Sequence, residues 1–404
     1  MSIAVSILGL GFLILIHEAG HFFVARAVGM NPRKFYLGFP PALVKTKRNG
    51  IEYGVGAIPL GGYVKIPGMH RPAPGDIDVH FGRAVAENPS LLRPVEELRR
   101  RLDDGDYAGA RDAVALLAAR IGETSLSPVA LKTAERGLVD VDDALAPDAY
   151  WRAKTWKRVA VIFAGPAANL VLAVAVFAAL FVLLSGSYRL GFELRGTTDN
   201  VTATINRVLV DTPAAEAGVR AGDRVVAING KPVDGDSIRS TIQASEGKPL
   251  RLTVERGGET VQLLPVRPEK SEEFGPLEAV GESFRVTWVV TKEIGKSVGR
   301  LVTGDGREEI SSPVGIVQGS SEAVEQGTDS YLWVLGLISL SLALLNLLPL
   351  LPLDGGHIAF SLLEGIRGKA VAREVYERVS VVGIAVVLLL FFIGLSNDIG
   401  RLGN

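Results

Sequence analysis

At 404 residues the chain exceeds one ordinary domain, and its 48% hydrophobic and 22% charged residues mix nearly pure apolar stretches with ordinary soluble sequence. A formal net charge of -1 argues against a general nucleic-acid binder. The chain has no cysteine, which excludes disulfides and thiolate ligands, so any metal must be held by His, Asp, Glu or backbone oxygen.

Four segments approach the ~20 residues that a bilayer-spanning helix needs. The first, Ile3 to Val28 (region 1–30), is apolar except for His17-Glu18-Ala19-Gly20-His21 and Arg26. No basic stretch precedes it and no small-residue cleavage site follows, so it reads as a membrane helix rather than a signal peptide. In region 31–68, Gly54 to Val64 punctuates β-prone residues with glycine and proline and predicts short strands joined by a turn. Met69 to Pro89 reads as a polar loop holding His70 and His80. Leu91 to Gly122 predicts two helices broken at Asp104-Gly105, and Leu126 to Ala144 a third, giving a helical insertion over 69–150.

The second span, Val159 to Leu184 (region 156–186), is apolar around Gly165, Pro166 and Asn169. A strand-rich soluble domain follows over 191–270, with β-prone runs at Ala203–Val210, Arg224–Ile228, Leu250–Glu255 and Thr260–Val266. Asn229-Gly230 and Gly257-Gly258 supply turns, and Ile238 to Ser245 predicts a helix. Region 271–330 holds an amphipathic helix, Glu282 to Thr303, suited to lie along a membrane surface, and a connector. The third span, Tyr331 to Leu353, belongs to region 331–366, and Pro349 and Pro352 should unwind it locally. The fourth is Val379 to Leu395 (region 378–396). The fold class expected is a polytopic α-helical membrane protein of about four transmembrane helices. Basic clusters follow the first span, precede the second and separate the third from the fourth. All fall on one side, expected to be the cytoplasm, with the insertion there and the strand-rich domain outside.

His17-Glu18-Ala19-Gly20-His21 is an H-E-x-x-H motif. On a helix, positions i and i+4 share a face, so both imidazoles can reach one zinc ion while Glu18 accepts a proton from water. The bland alternative is a pair of helix histidines satisfied by other hydrogen bonds. Ionisable groups at membrane depth favour the functional reading. A catalytic zinc commonly takes three protein ligands. Asp354, after Asn346-Leu347-Leu348-Pro349 and before Gly355-Gly356, is the leading third candidate, and His357 is the alternative. Asp354 could instead be a turn or cap carboxylate. Asn346 fits either interhelical hydrogen bonding or a hold on substrate backbone or oxyanion. Asn169 reads as a brace for helix packing.

Together these residues resemble the site-2 protease family of intramembrane metalloproteases, closest to the bacterial group that includes the regulator of sigma-E protease. HEAGH resembles its metal motif, and Asn346-x-x-Pro349 with Leu353-Asp354-Gly355-Gly356 its second motif. Pro59-Leu60-Gly61-Gly62-Tyr63-Val64 is similar to its membrane re-entrant β-hairpin, and Ala164-Gly165-Pro166-x-x-Asn169 to its second-helix signature. Pro313-Val314-Gly315-Ile316 is similar to the stretch before its third helix. The resemblance implies zinc on His17, His21 and Asp354, catalysis by Glu18, and substrate contact at Asn346, Gly61, Gly62 and Tyr63. It also implies a place in a bacterial inner membrane and single-span membrane-protein substrates, often anti-sigma factors. Asp211-Thr212-Pro213 with Gly218 to Asp223 and Ile228-Asn229-Gly230 resembles a bacterial PDZ domain, which would take peptide ends or act as a steric filter. One such unit is present where the sigma-E group's namesake has two, and the insertion over 69–150 is longer than the family pattern. Its expected role is to dock a cytoplasmic partner or regulate.

Two competing readings differ in class. A non-proteolytic PDZ-bearing scaffold or chaperone would not need Glu18. A zinc transporter would need a polar path, and the second and fourth spans carry almost no ionisable residue.

Overall fold

The computed structural model describes residues 1–197 and 200–402. Thr198 and Asp199, inside the region assigned to the strand-rich domain, lie outside the described residues. In chain order, helix α1 (Ser2–Ala27) leads into strands β1 (Lys34–Arg48) and β2 (Ile51–Lys65), then helices α2 (Pro74–Glu87), α3 (Leu92–Asp103), α4 (Tyr107–Gly122) and α5 (Pro128–Leu145). The long α6 (Thr155–Leu184) precedes β3 (Tyr188–Arg189), β4 (Phe192–Thr197), β5 (Asn200–Val208), α7 (Pro213–Glu216), β6 (Arg224–Ile228) and β7 (Lys231–Pro232). Next come α8 (Gly235–Ala244), β8 (Leu252–Arg256), β9 (Glu259–Gln262), β10 (Glu269–Lys270), α9 (Pro276–Thr303) and α10 (Pro313–Gln326). Helices α11 (Thr328–Asn346), α12 (Asp354–Arg367) and α13 (Arg373–Leu402) complete the chain.

Four helical stretches are long and apolar enough to cross a bilayer: Ser2–Ala27, Thr155–Leu184, Thr328–Asn346 and Glu374–Gly400. Exposed Val381, Leu389 and Phe392 on α13 would cost free energy in water and cost none against lipid tails. The third apolar segment does not continue as one helix through 331–366. It ends at Asn346, and Leu347–Leu353 is a turn, because Pro349 and Pro352 lack the N–H that a helix needs.

The contacts divide the chain into two compact units. One, residues 14–167 and 347–380, contains the β1–β2 sheet and the insertion. Strands β1 and β2 pair antiparallel through Thr46↔Tyr53 and Lys45↔Gly54, closing on Asn49-Gly50. Both turn residues have positive φ, 51° and 81°, the geometry that an Asn-Gly pair favours in a two-residue hairpin. Leu37 also pairs with Gly62, and Tyr36 with Tyr63.

The insertion is a four-helix module. Met69 to Pro89, expected as loop, contains α2, so His80 sits on a helix, its side chain against Gly137 of α5. Ile77, Phe81 and Ala84 recur at helical spacing and are at most 1% exposed. Pro72, Pro74, Gly75 and Gly82 masked that period, yet Pro74 stands at the first turn, where proline is tolerated, and Asp76 accepts the Ala73 N–H (2.8 Å). Asp106 caps α4 through the Gly109 N–H (3.0 Å), and Ser127 caps α5 through Ala130 (3.3 Å). Leu91, Leu98 and Leu117 join Phe81 in one core.

The other unit, residues 1–13, 168–346 and 381–404, contains the strand-rich domain. Its sheet runs β4-β5-β6-β8-β9, with β7 beside β6, around Ile205, Val225, Ile228, Ile238 and Leu252. The buried Asp223 accepts the Arg220 N–H (2.8 Å) and two bonds from Arg256 (2.7 and 2.8 Å). Burial pushes its carboxyl up, but those bonds outweigh burial and hold it below the usual range. On α13, Asp398 accepts from the Ser312 N–H (2.8 Å), Ser312 Oγ (2.6 Å) and the Gly315 N–H (3.1 Å), capping α10 from a separate helix.

Phe81→Ala should cost about 3–5 kcal/mol and expose residues 74–145 to limited proteolysis, whereas Val79→Ala, on the exposed side of α2, should not. The Asp223 ion pair contributes stability that is present above the unfolded carboxylate pKa of about 4 and is lost as pH falls through the lower folded value. Asp223→Asn should therefore weaken the domain at pH 7 and flatten its acid dependence in urea unfolding at a series of pH values.

Candidate metal centre

Helix α1 places His17 and His21 one turn apart, so both rings leave the same face. Each residue is 7% exposed. Their Nε2 atoms lie 3.2 Å apart. Asp354, in the first turn of α12, brings Oδ2 to 3.1 Å from His17 Nε2 and 3.4 Å from His21 Nε2. Ligand atoms on a tetrahedral zinc, at about 2.0–2.2 Å from the ion, stand about 3.3 Å from one another. The three observed separations bracket that value. Among the described residues, this is the one group of three such side chains close enough to hold a metal.

The donor chemistry fits as well. His21 Nδ1–H donates to the Val161 carbonyl of α6 (2.8 Å), which leaves the Nε2 lone pair facing Asp354 and His17. Three acceptors gathered this closely repel unless a proton or cation sits among them, and their spacing suits a metal.

Two glycines permit the approach. A Cβ on Gly165 of α6 would stand 2.3 Å from His21 Nε2 and 2.9 Å from His17 Nε2, so backbone alone covers the two imidazoles there. A Cβ on Gly62 would stand 2.9 Å from both Glu18 Cγ and the Tyr36 carbonyl oxygen. Strand β2 therefore runs directly beside Glu18.

The structure thus brings His17, His21 and Asp354 together, with Glu18 and Gly62 beside them. Gly61 lies against the Phe39 ring, and Tyr63 stacks on Tyr36 at 5.2 Å. Asn346 donates to the Leu342 carbonyl of its own helix (2.9 Å). The backbone carbonyl of the fully buried Asn169 accepts from Ser339 Oγ (2.8 Å). His357 is not in the metal group, and its Nδ1 is engaged by the Tyr376 hydroxyl. Sequence reasoning missed the Val161 carbonyl, a backbone group that leaves no residue signature, and the close-approach role of Gly165.

The chain matches Peptidase family M50 over residues 5–390. It is 30% identical to an Agrobacterium fabrum protein described as a zinc metalloprotease, covering 98% of this chain and 95% of that one. It is 29% identical to the probable protease eep of Enterococcus faecalis, covering 97% of each. It is also 29% identical to the regulator of sigma-E protease of Salmonella typhimurium, covering 99% of each. Among solved structures, the HtrA3 PDZ domain bound to a phage-derived ligand shares 23% identity over 21% of this chain and 88% of that one. Its TM-score of 0.18 is too low to assign a fold. A match that begins in the helix of the two histidines and runs past that of Asp354 makes the chain a member of Peptidase family M50, a membrane zinc metalloprotease of the site-2 type.

Proposed function

We propose that the chain is an intramembrane endopeptidase that cuts single-span membrane proteins, anti-sigma factors among them. The observation that carries this reading is the convergence of Asp354 on two histidines of a membrane-length helix. His17, His21 and Asp354 would hold the zinc. When bound, the ion supplies Lewis acidity toward water and the scissile carbonyl. Glu18 takes a proton from the attacking water and delivers it to the leaving amide nitrogen. A transmembrane helix hides its peptide groups in its own hydrogen bonds, so the substrate must be extended before water can attack. Strand β2, running past Glu18 at Gly62, offers backbone with which such a segment can pair, and lies re-entrant in the membrane.

The basic clusters support a reading in which the insertion lies in the cytoplasm of a bacterial cell and the strand-rich domain on the outer face of its inner membrane. That outer domain acts in the PDZ manner, taking the free peptide end of a substrate already trimmed outside, or excluding one that is untrimmed.

Two measurements test this on the purified chain with a transmembrane substrate. Glu18→Gln should retain zinc and lose about 10²–10⁴-fold in cleavage rate. Wild-type rates in that variant, or wild-type protein that binds no zinc, would refute the reading. Gly165→Val should expel zinc, because a side chain there meets both imidazoles, and elemental analysis should show the loss.

A further inference from the structure

The insertion grips the strands that border Glu18. Arg33 enters β1 and Lys65 ends β2, and the Arg33 N–H donates to the Lys65 carbonyl (2.7 Å), so the two cations share one end of the sheet. Both point at the end of α5. Arg33 Nε donates to Asp143 Oδ1 (2.8 Å), and its two Nη groups reach the Asp148 carboxylate (3.1 and 3.2 Å). Lys65 Nζ donates to Asp140 (2.8 Å) and pairs with the other oxygen of Asp143 (3.0 Å). Asp143 is 8% exposed and bridges both cations. A two-toothed contact between a guanidinium and a carboxylate fixes orientation as well as distance.

The neighbouring residues give this contact its consequence. Lys65 stands three residues beyond Gly62, which lies against Glu18. On its other face α5 is packed by Ala134, Val141 and Leu145 into the core of the module, so its carboxylates move with the whole insertion. We infer that Arg33, Lys65, Asp140, Asp143 and Asp148 are positioning residues for peptide hydrolysis. Through them the insertion sets where β2 stands relative to Glu18. This rests on the proteolytic reading above and adds the means by which the same site is held in register.

The test uses the full chain in lipid nanodiscs with a transmembrane substrate. It measures kcat, KM, zinc content and amide exchange at residues 62–65. Asp143→Asn should lower kcat about tenfold with zinc content unchanged and with faster exchange at 62–65. The milder Asp140→Asn should do the same by about threefold, and Lys65→Arg should restore what Lys65→Met loses. Lys65→Met and Asp140→Asn together should cost less than the product of their separate effects, since they remove one contact. Asp142→Asn, on α5 but paired only loosely with Arg111 at 3.8 Å, should change nothing. Wild-type kcat and exchange in Asp140→Asn and Lys65→Met would overturn the clamp while leaving the protease reading intact. So would a lost kcat with unaltered exchange, or Asp140→Asn and Asp142→Asn behaving alike. Should Asp143→Asn fail to fold, the Asp140→Asn and Asp142→Asn pair still decides. Absence of zinc or cleavage in the wild type would instead remove the reading beneath it.

Discussion

Two imidazole nitrogens and a carboxylate oxygen within 3.4 Å of one another form an arrangement of acceptors that water would not assemble and lipid would not tolerate. A cation at the centre would compensate its cost, and the surrounding chain is arranged to keep the three atoms close. A backbone carbonyl of α6 turns His21, a glycine of α6 allows cover without a side chain, and the turn after Asn346 delivers Asp354 at a helix start. Ionic strength scarcely reaches such a site, so it should hold over a wide range of salt.

Beside that fixed centre lies a part built differently. The β1–β2 sheet is held at its base by ion pairs to the insertion. Such contacts set geometry more than they add stability, since desolvation of each charge offsets much of the attraction. On the proposed function, a compact ligand group next to a strand placed by charge would suit an enzyme that must admit an unwound helix.

Much of this was legible in the residues. Composition and apolar length exposed four spans, and the i, i+4 spacing of His17 and His21 put both on one face. Pro349 and Pro352 announced the break that frees Asp354. Other features were hidden for physical reasons. The period of Ile77, Phe81 and Ala84 was obscured by prolines and glycines that α2 accommodates at its first turn and on its outer face. Asn49-Gly50 is a strong hairpin signal that marks the reach of β1 and β2, whereas Gly54–Val64 alone suggests only short strands. No local pattern could have paired Arg33 and Lys65 with Asp140, Asp143 and Asp148, because that contact depends on how a whole module docks on a sheet.

His17 and Asp354 are separated by 337 positions in the chain. During synthesis the histidines enter the bilayer early, and their third partner arrives only after the insertion, the strand-rich domain and α11 have been made. A nascent or truncated chain therefore carries the H-E-x-x-H helix without a closed ligand set. By the order of these segments, the proposed ligand set would close only once α12 has been made.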